Sequence, residues 1–519
     1  MSKVAKTTIG LMIVTMLSKV LGFGRELALT YVYGANAISD VYITSLSIPS
    51  ILFSTIASAL STTFIPLFLR IDKSKGRKKS LLFANNVFNI VIVLTILMAI
   101  FGFIFVQPLV KLFAMSFEGE KLSLAVDFTR IMIFGIVFIG LSNLMSAWLQ
   151  ISGNFTIPGM ISFPYNVLVI GGILLSVVGD VRIMAIGTLI GMASQFLFQL
   201  PYAIRKGYKY QLYINIRDKD IKKMIFLIMP VFLGIAVNQL NAIIDRSLAS
   251  TLGDGVITVL NSASRLNSFV MGIFIGTISS VIYPMLSKLS NEDSKNEFIK
   301  VITHSVNTVI LLIIPISVVA IILAEPVVRI VFERGAFDSN ATNMTAIALA
   351  CYSIGMIGFA LREILNKVFY SIQDTKTPMI NGSIAMVMNI ILNIIIIKFL
   401  GYAGIALATS ISSLICIVLL FNSLNKKIGY FGQDKIRNTM IKSLISAGIM
   451  GVITNISYKY LSSILESGFT KGVIPLFGSI GIGGGVYGLL LIVLKVEEVK
   501  IIIDMLKKRS KYKSCDIGV

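Results

Sequence analysis

Residues 80–107, SLLFANNVFNIVIVLTILMAIFGFIFVQ, decide the fold, because this stretch contains no charged residue. A helix needs about 20 mostly apolar residues to cross the hydrocarbon core of a bilayer, and this stretch exceeds that length. Segments of the same character recur along the chain of 519 residues, of which 55% are hydrophobic and 14% charged. This composition and the mean hydropathy of +0.87 exclude an ordinary soluble domain. The sequence predicts an all-α integral membrane protein.

The apolar segments predict about 14 transmembrane helices. They are 7–33, 37–69, 80–107, 122–151, 157–178, 182–205, 221–250, 255–287, 298–324, 341–371, 377–399, 401–424, 438–465 and 470–494. Because this number is even, both termini are expected on the same side of the membrane.

The basic residues predict which side that is. The chain has a formal net charge of +21, and its lysines and arginines cluster at 70–79, 205–223, 426–437 and from 495 to the end. Each cluster lies in an even-numbered connection or in the tail, which indicates cytoplasmic termini. These loops also have the charge to bind anionic lipid headgroups. No aromatic-rich module accompanies them, which argues against a nucleic-acid partner.

An internal repeat relates two parts of the chain. Arg25 corresponds to Arg246, and the prolines correspond in two pairs, Pro66 with Pro284 and Pro158 with Pro378. The near-constant spacing predicts two parallel six-helix repeats around a central cavity, plus two C-terminal helices. The predicted domains are 1–215, 216–430, 431–495 with the two additional helices, and a basic cytoplasmic tail, 496–519. The additional helices are either a peripheral buttress or a surface for a lipidic cargo.

Several charged residues lie inside the predicted spans, where charge is expensive. The cations are Lys19, Arg25, Arg246, Arg265, Arg362 and Lys367, and the acids are Glu26, Asp40, Asp245 and Glu363. A cavity with surplus cations favours an anionic guest, and pyrophosphate suits the arginine fork. The alternative is that these residues form structural ion pairs. For Arg362 and Lys367, snorkelling or pairing with Glu363 is the preferred interpretation.

Four stretches carry a family resemblance: 18–26 (SKVLGFGRE), Asp40, 265–269 (RLNSF) and 373–378 (QDTKTP). With them the sequence resembles the MurJ/MviN lipid II flippases of the multidrug/oligosaccharidyl-lipid/polysaccharide exporter superfamily. The resemblance implies that lipid II, the polyprenyl-pyrophosphate-linked peptidoglycan precursor, moves from the inner to the outer leaflet by alternating access. It implies a multi-pass protein of the bacterial cytoplasmic (inner) membrane that serves cell wall biogenesis and cell shape.

The predicted substrate-binding residues are Lys19, Arg25, Arg265, Glu26, Asp40 and Arg246. The resemblance makes Lys19, Arg25 and Arg265 the head-group contacts and Asp40 an acidic partner. Lys19 stands where the family often has arginine. Phe53 and Ser54 replace an arginine pair of some members, and Ser268 replaces an acid.

The resemblance also implies a sodium site, because some members bind sodium between helices seven, eleven and twelve. The corresponding positions are Asp245, Asn389, Asn393, Thr409 and the carbonyl group of Ile405. All offer oxygen, which hard cations prefer. Hydrogen bonds between the amides of neighbouring helices are the alternative. No other cofactor is predicted.

The competing classes are an enzyme and other transporters. The only histidine, His304, starts a predicted span, and no phosphate-binding loop occurs, so neither general acid–base chemistry nor ATP hydrolysis is expected. A flippase for another undecaprenyl-linked glycan is the runner-up. A cation-coupled drug exporter is disfavoured by the surplus of cations. We expect a monomer that contacts lipid II and membrane lipids.

Overall fold

The computed structural model describes residues 3–291, 294–464 and 470–499. Over these residues the regular structure is helical, without strands. The predicted basic tail lies beyond residue 499 for nearly all its length, outside the described residues. The all-α fold class is therefore confirmed.

The chain forms two compact units. The first comprises the residues up to 259 together with 334–341, and the second comprises 260–333 and the residues from 342 onward. The division of the sequence at 215/216 and 430/431 into repeat lobes stays a prediction.

The first unit contains ten helices among the described residues. They are α1 (Lys3–Tyr33), α2 (Ala37–Lys75), α3 (Arg77–Ile104), α4 (Val106–Phe113), α5 (Gly119–Met132), α6 (Gly135–Ile151), α7 (Thr156–Met160), α8 (Ser162–Leu175), α9 (Arg182–Arg205) and α10 (Lys219–Ser250). The first turn of α11 and the start of α14 also belong to this unit.

The remaining helices lie wholly or mainly in the second unit. They are α11 (Val256–Asn291), α12 (Lys295–Ile322), α13 (Ala324–Phe332), α14 (Ser339–Ile354), α15 (Met356–Ser371), α16 (Lys376–Leu400), α17 (Tyr402–Ile428), α18 (Gln433–Ile464) and α19 (Thr470–Val493).

Ten helices of the described chain are long and apolar enough to cross a membrane, or eleven with the pair α14 and α15, which is bent by 43°. The predicted number of fourteen is not reproduced by this criterion and stays a prediction. The three predicted spans outside this set are nonetheless long helices, namely α1, α2 and α10, with 31, 39 and 32 residues. These three helices carry most of the candidate charged residues.

The same turn occurs in both units, at residues 152–155 and 372–375. The N–H of Asn154 donates to the carbonyl of Leu149 at 2.8 Å, and that of Asp374 donates to Phe369 at 2.9 Å. Each side chain then accepts a backbone N–H three residues later, at 3.2 Å for Asn154 and 3.0 Å for Asp374. Asp374 lies 220 positions after Asn154, so the predicted repeat includes a shared backbone turn.

Each unit has its own apolar core. In the first, the ring of Phe68 meets Trp148 edge-on at 5.5 Å, and the guanidinium of Arg77 lies over both rings. In the second, Ile310 of α12, Ile364 of α15 and Leu420 of α17 are fully buried in one cluster. These cores fix the backbones that carry the candidate site.

The end of α1 meets residues 334–341 through main-chain contacts. The N–H of Ala336 donates to the carbonyl of Tyr31 at 2.8 Å. Gly34 and Gly335 both have positive φ, and a Cβ atom on either would overlap a carbonyl oxygen, that of Ala336 or of Tyr31. Only glycine allows this approach.

Candidate functional site

Arg25 lies partly buried on α1 and faces α8. Its Nη1 donates a hydrogen bond of 3.0 Å to the hydroxyl of Tyr165, and the guanidinium also lies 5.4 Å from the centre of that ring. This bond uses one of five guanidinium N–H donors. Within the described chain, the ion pairs of 4 Å or less do not include Arg25. Its hydrogen-bond partner is therefore neutral, and the buried carboxylate of Glu26, the next residue, acts on it electrostatically without a close ion pair among the described residues.

Lys19 and Glu26 lie on the same helix as Arg25. The side chain of Lys19 is exposed and that of Glu26 is buried. The structure therefore brings three of the six predicted substrate-binding residues together on α1.

Asp40, in the first turn of α2, is completely buried and holds the first turn of α11. One carboxylate oxygen accepts the N–H of Gly255 at 2.7 Å, and the other accepts the N–H and hydroxyl of Thr258 at 2.9 and 2.8 Å. The ammonium of Lys121 lies 3.5 Å away and also binds Asp254 at 2.6 Å. A carboxylate with these partners favours a structural role, while its role toward substrate stays a prediction.

Asp245 and Arg246 lie partly buried near the end of α10. The amide of Asn241 donates to the carboxylate of Asp245 at 3.2 Å. Arg246 thus lies in the same unit as Lys19 and Arg25.

Arg265 belongs to the second unit, where its side chain is exposed on α11. The described part of the chain offers it no carboxylate within 4 Å. Its neighbour Ser268 is also exposed. A charge in this setting is available to an anionic ligand.

The predicted pairing of Lys367 with Glu363 is confirmed. The ammonium lies 3.3 Å from the carboxylate, one helical turn away on α15, and the hydroxyl of Ser279 donates to the same carboxylate at 3.4 Å. A neutralised lysine of this kind has a structural role.

Phe53 packs inside the first unit. It is fully buried, and its ring would lie 2.9 Å from a Cβ atom at Gly140. Phe53 therefore has a packing role in this chain.

Four of the predicted sodium ligands form one network between α16 and α17. The amide of Asn393 donates to the carbonyl oxygen of Asn389 at 3.0 Å, and the amide of Asn389 donates to Thr409 at 3.3 Å. The hydroxyl of Thr409 donates to the carbonyl of Ile405 at 2.9 Å. Asp245, the one carboxylate of the set, lies in the first unit. The oxygens have the chemistry that sodium prefers.

Two residues of the site escaped the sequence analysis. Tyr165 was missed because its side chain is neutral and the candidate residues were chosen by charge. The one available signal was a pair of polar side chains, Tyr165 and Asn166, inside an apolar segment. Lys121 was missed because it directly precedes the predicted span 122–151 and looks like an ordinary flanking lysine. Its two carboxylate partners come from distant parts of the sequence.

The fold is that of a known class of membrane transporters. A solved inward-facing multidrug resistance MATE family transporter of the MOP superfamily matches with a TM-score of 0.66 and 16% identity, over 82% of this chain and 99% of that one. At this identity the likeness shows the fold alone.

A closer likeness defines the family. The structure titled lipid II flippase MurJ, inward closed conformation, has a TM-score of 0.79 and 28% identity, and covers 94% of this chain and 99% of its own. The probable lipid II flippase MurJ of Buchnera aphidicola subsp. Baizongia pistaciae is 29% identical over 93% of this chain and 96% of that protein. The lipid II flippase MurJ of Burkholderia cenocepacia is 28% identical over 80% of this chain and 82% of that protein. The family model for lipid II flippase MurJ matches residues 29–473, and the chain belongs to this family.

Proposed function

We propose that this protein moves lipid II from the inner to the outer leaflet by alternating access, and that a cationic cavity binds the pyrophosphate. Membership of the lipid II flippase family supports the cargo. The cationic site is supported by the side chains of Arg25 and Arg265.

The hydrogen bond between Arg25 and Tyr165 carries the proposal. A charged side chain at bilayer depth costs about 2.5–3.5 kcal/mol on insertion scales, so it normally has a compensating partner. The hydrogen-bond partner of Arg25 is the phenol of Tyr165, which accepts one N–H but does not neutralise the positive charge. A pyrophosphate would supply both charge and acceptors in the geometry that guanidinium prefers.

Arg265 supplies the second cation, because it is exposed and lies in no ion pair of the described residues. Lys19, exposed on α1, is the third proposed head-group contact. The lysine binds phosphate as a point charge, whereas arginine binds it through two donors. We assign no catalytic step to these residues.

Sodium and topology complete the proposal. Sodium would bind the oxygens of Asn389, Asn393, Thr409 and Ile405 together with Asp245. Both termini would lie in the cytoplasm, since the basic clusters fall in the even-numbered connections. The protein would act as a monomer.

The test is complementation of a bacterial strain depleted of its own lipid II flippase, with a direct assay of lipid II at the outer leaflet. The parent should restore growth and lipid II exposure, and Arg25→Ala and Arg265→Ala should abolish both. Arg329→Ala is the matched control, because this exposed arginine already pairs with Glu325 and Glu333. It should behave as the parent does.

Membrane abundance and monodispersity in detergent must be equal among the variants, so that loss of transport is separated from loss of folding. Normal lipid II exposure with both Arg25→Ala and Arg265→Ala would overturn the cationic site. A parent that exposes another undecaprenyl-linked glycan, and leaves lipid II inside, would overturn the cargo.

A further inference from the structure

The connection between α9 and α10 is held in an extended conformation by α3. We call residues 208–216 of this connection the strap. Asn85 accepts the N–H of Gln211 at 3.0 Å and donates to the carbonyl of Lys209 at 3.0 Å. Asn86 accepts the N–H of Asn215 at 2.8 Å and donates to its carbonyl at 2.9 Å.

A third asparagine continues this pattern. The amide of Asn89 donates to the carbonyl of Gln211 at 2.9 Å, and its oxygen accepts the hydroxyl of Tyr210 at 2.7 Å. All three asparagines are at most 2% exposed. Buried amides that bind main-chain groups in pairs fix the register of the strap, much as a neighbouring strand would.

The strap exposes apolar side chains beside basic ones. Leu212, Ile214 and Ile216 are 80%, 48% and 62% exposed, and alternate residues of an extended chain share a face. The exposed Lys209 and Arg217 belong to the same connection. An apolar face next to cations is typical of a segment that lies at the interface of an anionic membrane.

The strap also forms one wall of an apolar groove of about 500 Å³ in the first unit. The other walls include Ile92 of α3, Leu141 of α6 and Phe196 and Leu200 of α9, while Tyr208 and Tyr210 close the strap side. The ring centres of Tyr208 and Phe88 lie 5.1 Å apart, and this contact holds the strap against α3. The volume falls within the range of about 300–1,000 Å³ that is usual for a ligand pocket.

Three cations lie close in sequence to residues that line this groove. Arg205, Lys206 and Lys209 are exposed, and they alternate along the sequence with the groove residues Ile204, Tyr208 and Tyr210. None of the three joins an ion pair among the described residues. An apolar groove with these neighbouring cations is complementary to an amphiphile whose headgroup is negative.

We propose that the groove binds an anionic glycerophospholipid of the inner leaflet, with an acyl chain between α3, α6, α9 and the strap, and its phosphate at Arg205, Lys206 and Lys209. The site is distinct from the residues proposed to bind the transported lipid, none of which lines this groove. A bound phospholipid would hold the strap, and through it the start of α10, at the membrane surface.

The test is native mass spectrometry of the purified full chain with phosphatidylglycerol and with phosphatidylcholine of the same acyl chains. The triple variant Arg205→Gln, Lys206→Gln, Lys209→Gln should weaken phosphatidylglycerol binding by at least about tenfold and leave phosphatidylcholine binding unchanged. The control triple variant Lys73→Gln, Lys376→Gln, Lys426→Gln removes the same charge from exposed positions outside the groove. It should retain the parent's affinity.

A second pair of variants tests the groove itself. Leu200→Trp should fill it and weaken binding of both lipids, whereas Leu168→Trp, on the exposed face of α8, should not. If the two triple variants weakened phosphatidylglycerol binding equally, binding would depend only on net charge, and the proposal would be overturned. Full binding by Leu200→Trp would also overturn it, as would displacement of phosphatidylglycerol from the groove by undecaprenyl pyrophosphate at equal concentration.

Discussion

The charged side chains of this chain differ in what they bind. Asp40 has backbone, hydroxyl and ammonium partners, and Glu363 has Lys367. Arg25, by contrast, binds a phenol. Asp40 is buried, and removing any of its partners would leave a buried charge unpaired, so it stabilises structure. Glu363 is half-exposed, and its charge is already matched by that of Lys367. Of these three residues, Arg25 is the one proposed to bind a ligand.

Asp374 permits a test by pH, because it lies in the turn between α15 and α16, outside the spans. Burial would raise the pKa of its carboxyl, but hydrogen bonds from Lys427 at 2.6 Å and from Thr377 outweigh it and lower the pKa to about 2. The ordinary value is 3.8. The carboxylate therefore contributes stability above about pH 4, and this contribution is lost as pH falls toward 2.

We expect the thermal unfolding midpoint of Asp374→Asn in detergent to be lower than that of the parent at pH 7, and to change less between pH 4 and pH 2. Asp434→Asn is the control, because its carboxylate is exposed and pairs with Arg437. Parallel pH profiles for the parent and Asp374→Asn would contradict the role of this carboxylate.

At the residue scale, the sequence predicted the cations and the Lys367–Glu363 pair, but not the partners of Arg25 and Asp40. Arg25, Arg265 and Lys367 stand out because charge is rare in apolar segments. Tyr165 and Lys121 do not, since one is neutral and the other flanks a span. Their roles depend on contacts across 140 residues for Arg25–Tyr165 and 81 positions for Asp40–Lys121.

At the element scale, each predicted span falls on helix, yet hydropathy missed where helices break. The predicted span 341–371 is two helices in the structure, α14 and α15, which are bent by 43° at the break between Ile354 and Met356. The apolar run continues across this break, so composition alone does not locate it. The strap was also missed, because the asparagines that hold it lie more than 120 residues away on α3.

The pair α16 and α17 carries the sodium prediction. We expect transport of lipid II in reconstituted vesicles to increase with sodium relative to choline. Asp245→Asn and Asn389→Ala should remove this increase, because the first takes away the negative charge of the site and the second an oxygen ligand. Ser383→Ala, on the exposed side of α16, should leave it intact.

Binding of radioactive sodium to the purified protein gives a second measurement that does not depend on transport. If the parent protein neither binds sodium nor transports faster with it, the sodium site is contradicted. The hydrogen bonds of Asn389 and Asn393 would then only join two helices.

At the scale of the whole molecule, topology is the property that the sequence predicts and that a single residue can test. Cys515 lies in the predicted cytoplasmic tail, while Cys351 and Cys416 lie in helices. In a Cys351→Ser, Cys416→Ser background, a membrane-impermeant maleimide should label Cys515 in inverted vesicles and not in intact cells. Labelling in intact cells would place the C-terminus outside.

The contact between the end of α1 and residues 334–341 has a consequence for how this protein tolerates change. Two segments of the main chain meet there, and at Gly34 and Gly335 a carbonyl oxygen occupies the place that a Cβ atom would take. One methyl group at either glycine would push the two segments apart. Natural variants of this protein are therefore expected to keep glycine at both positions.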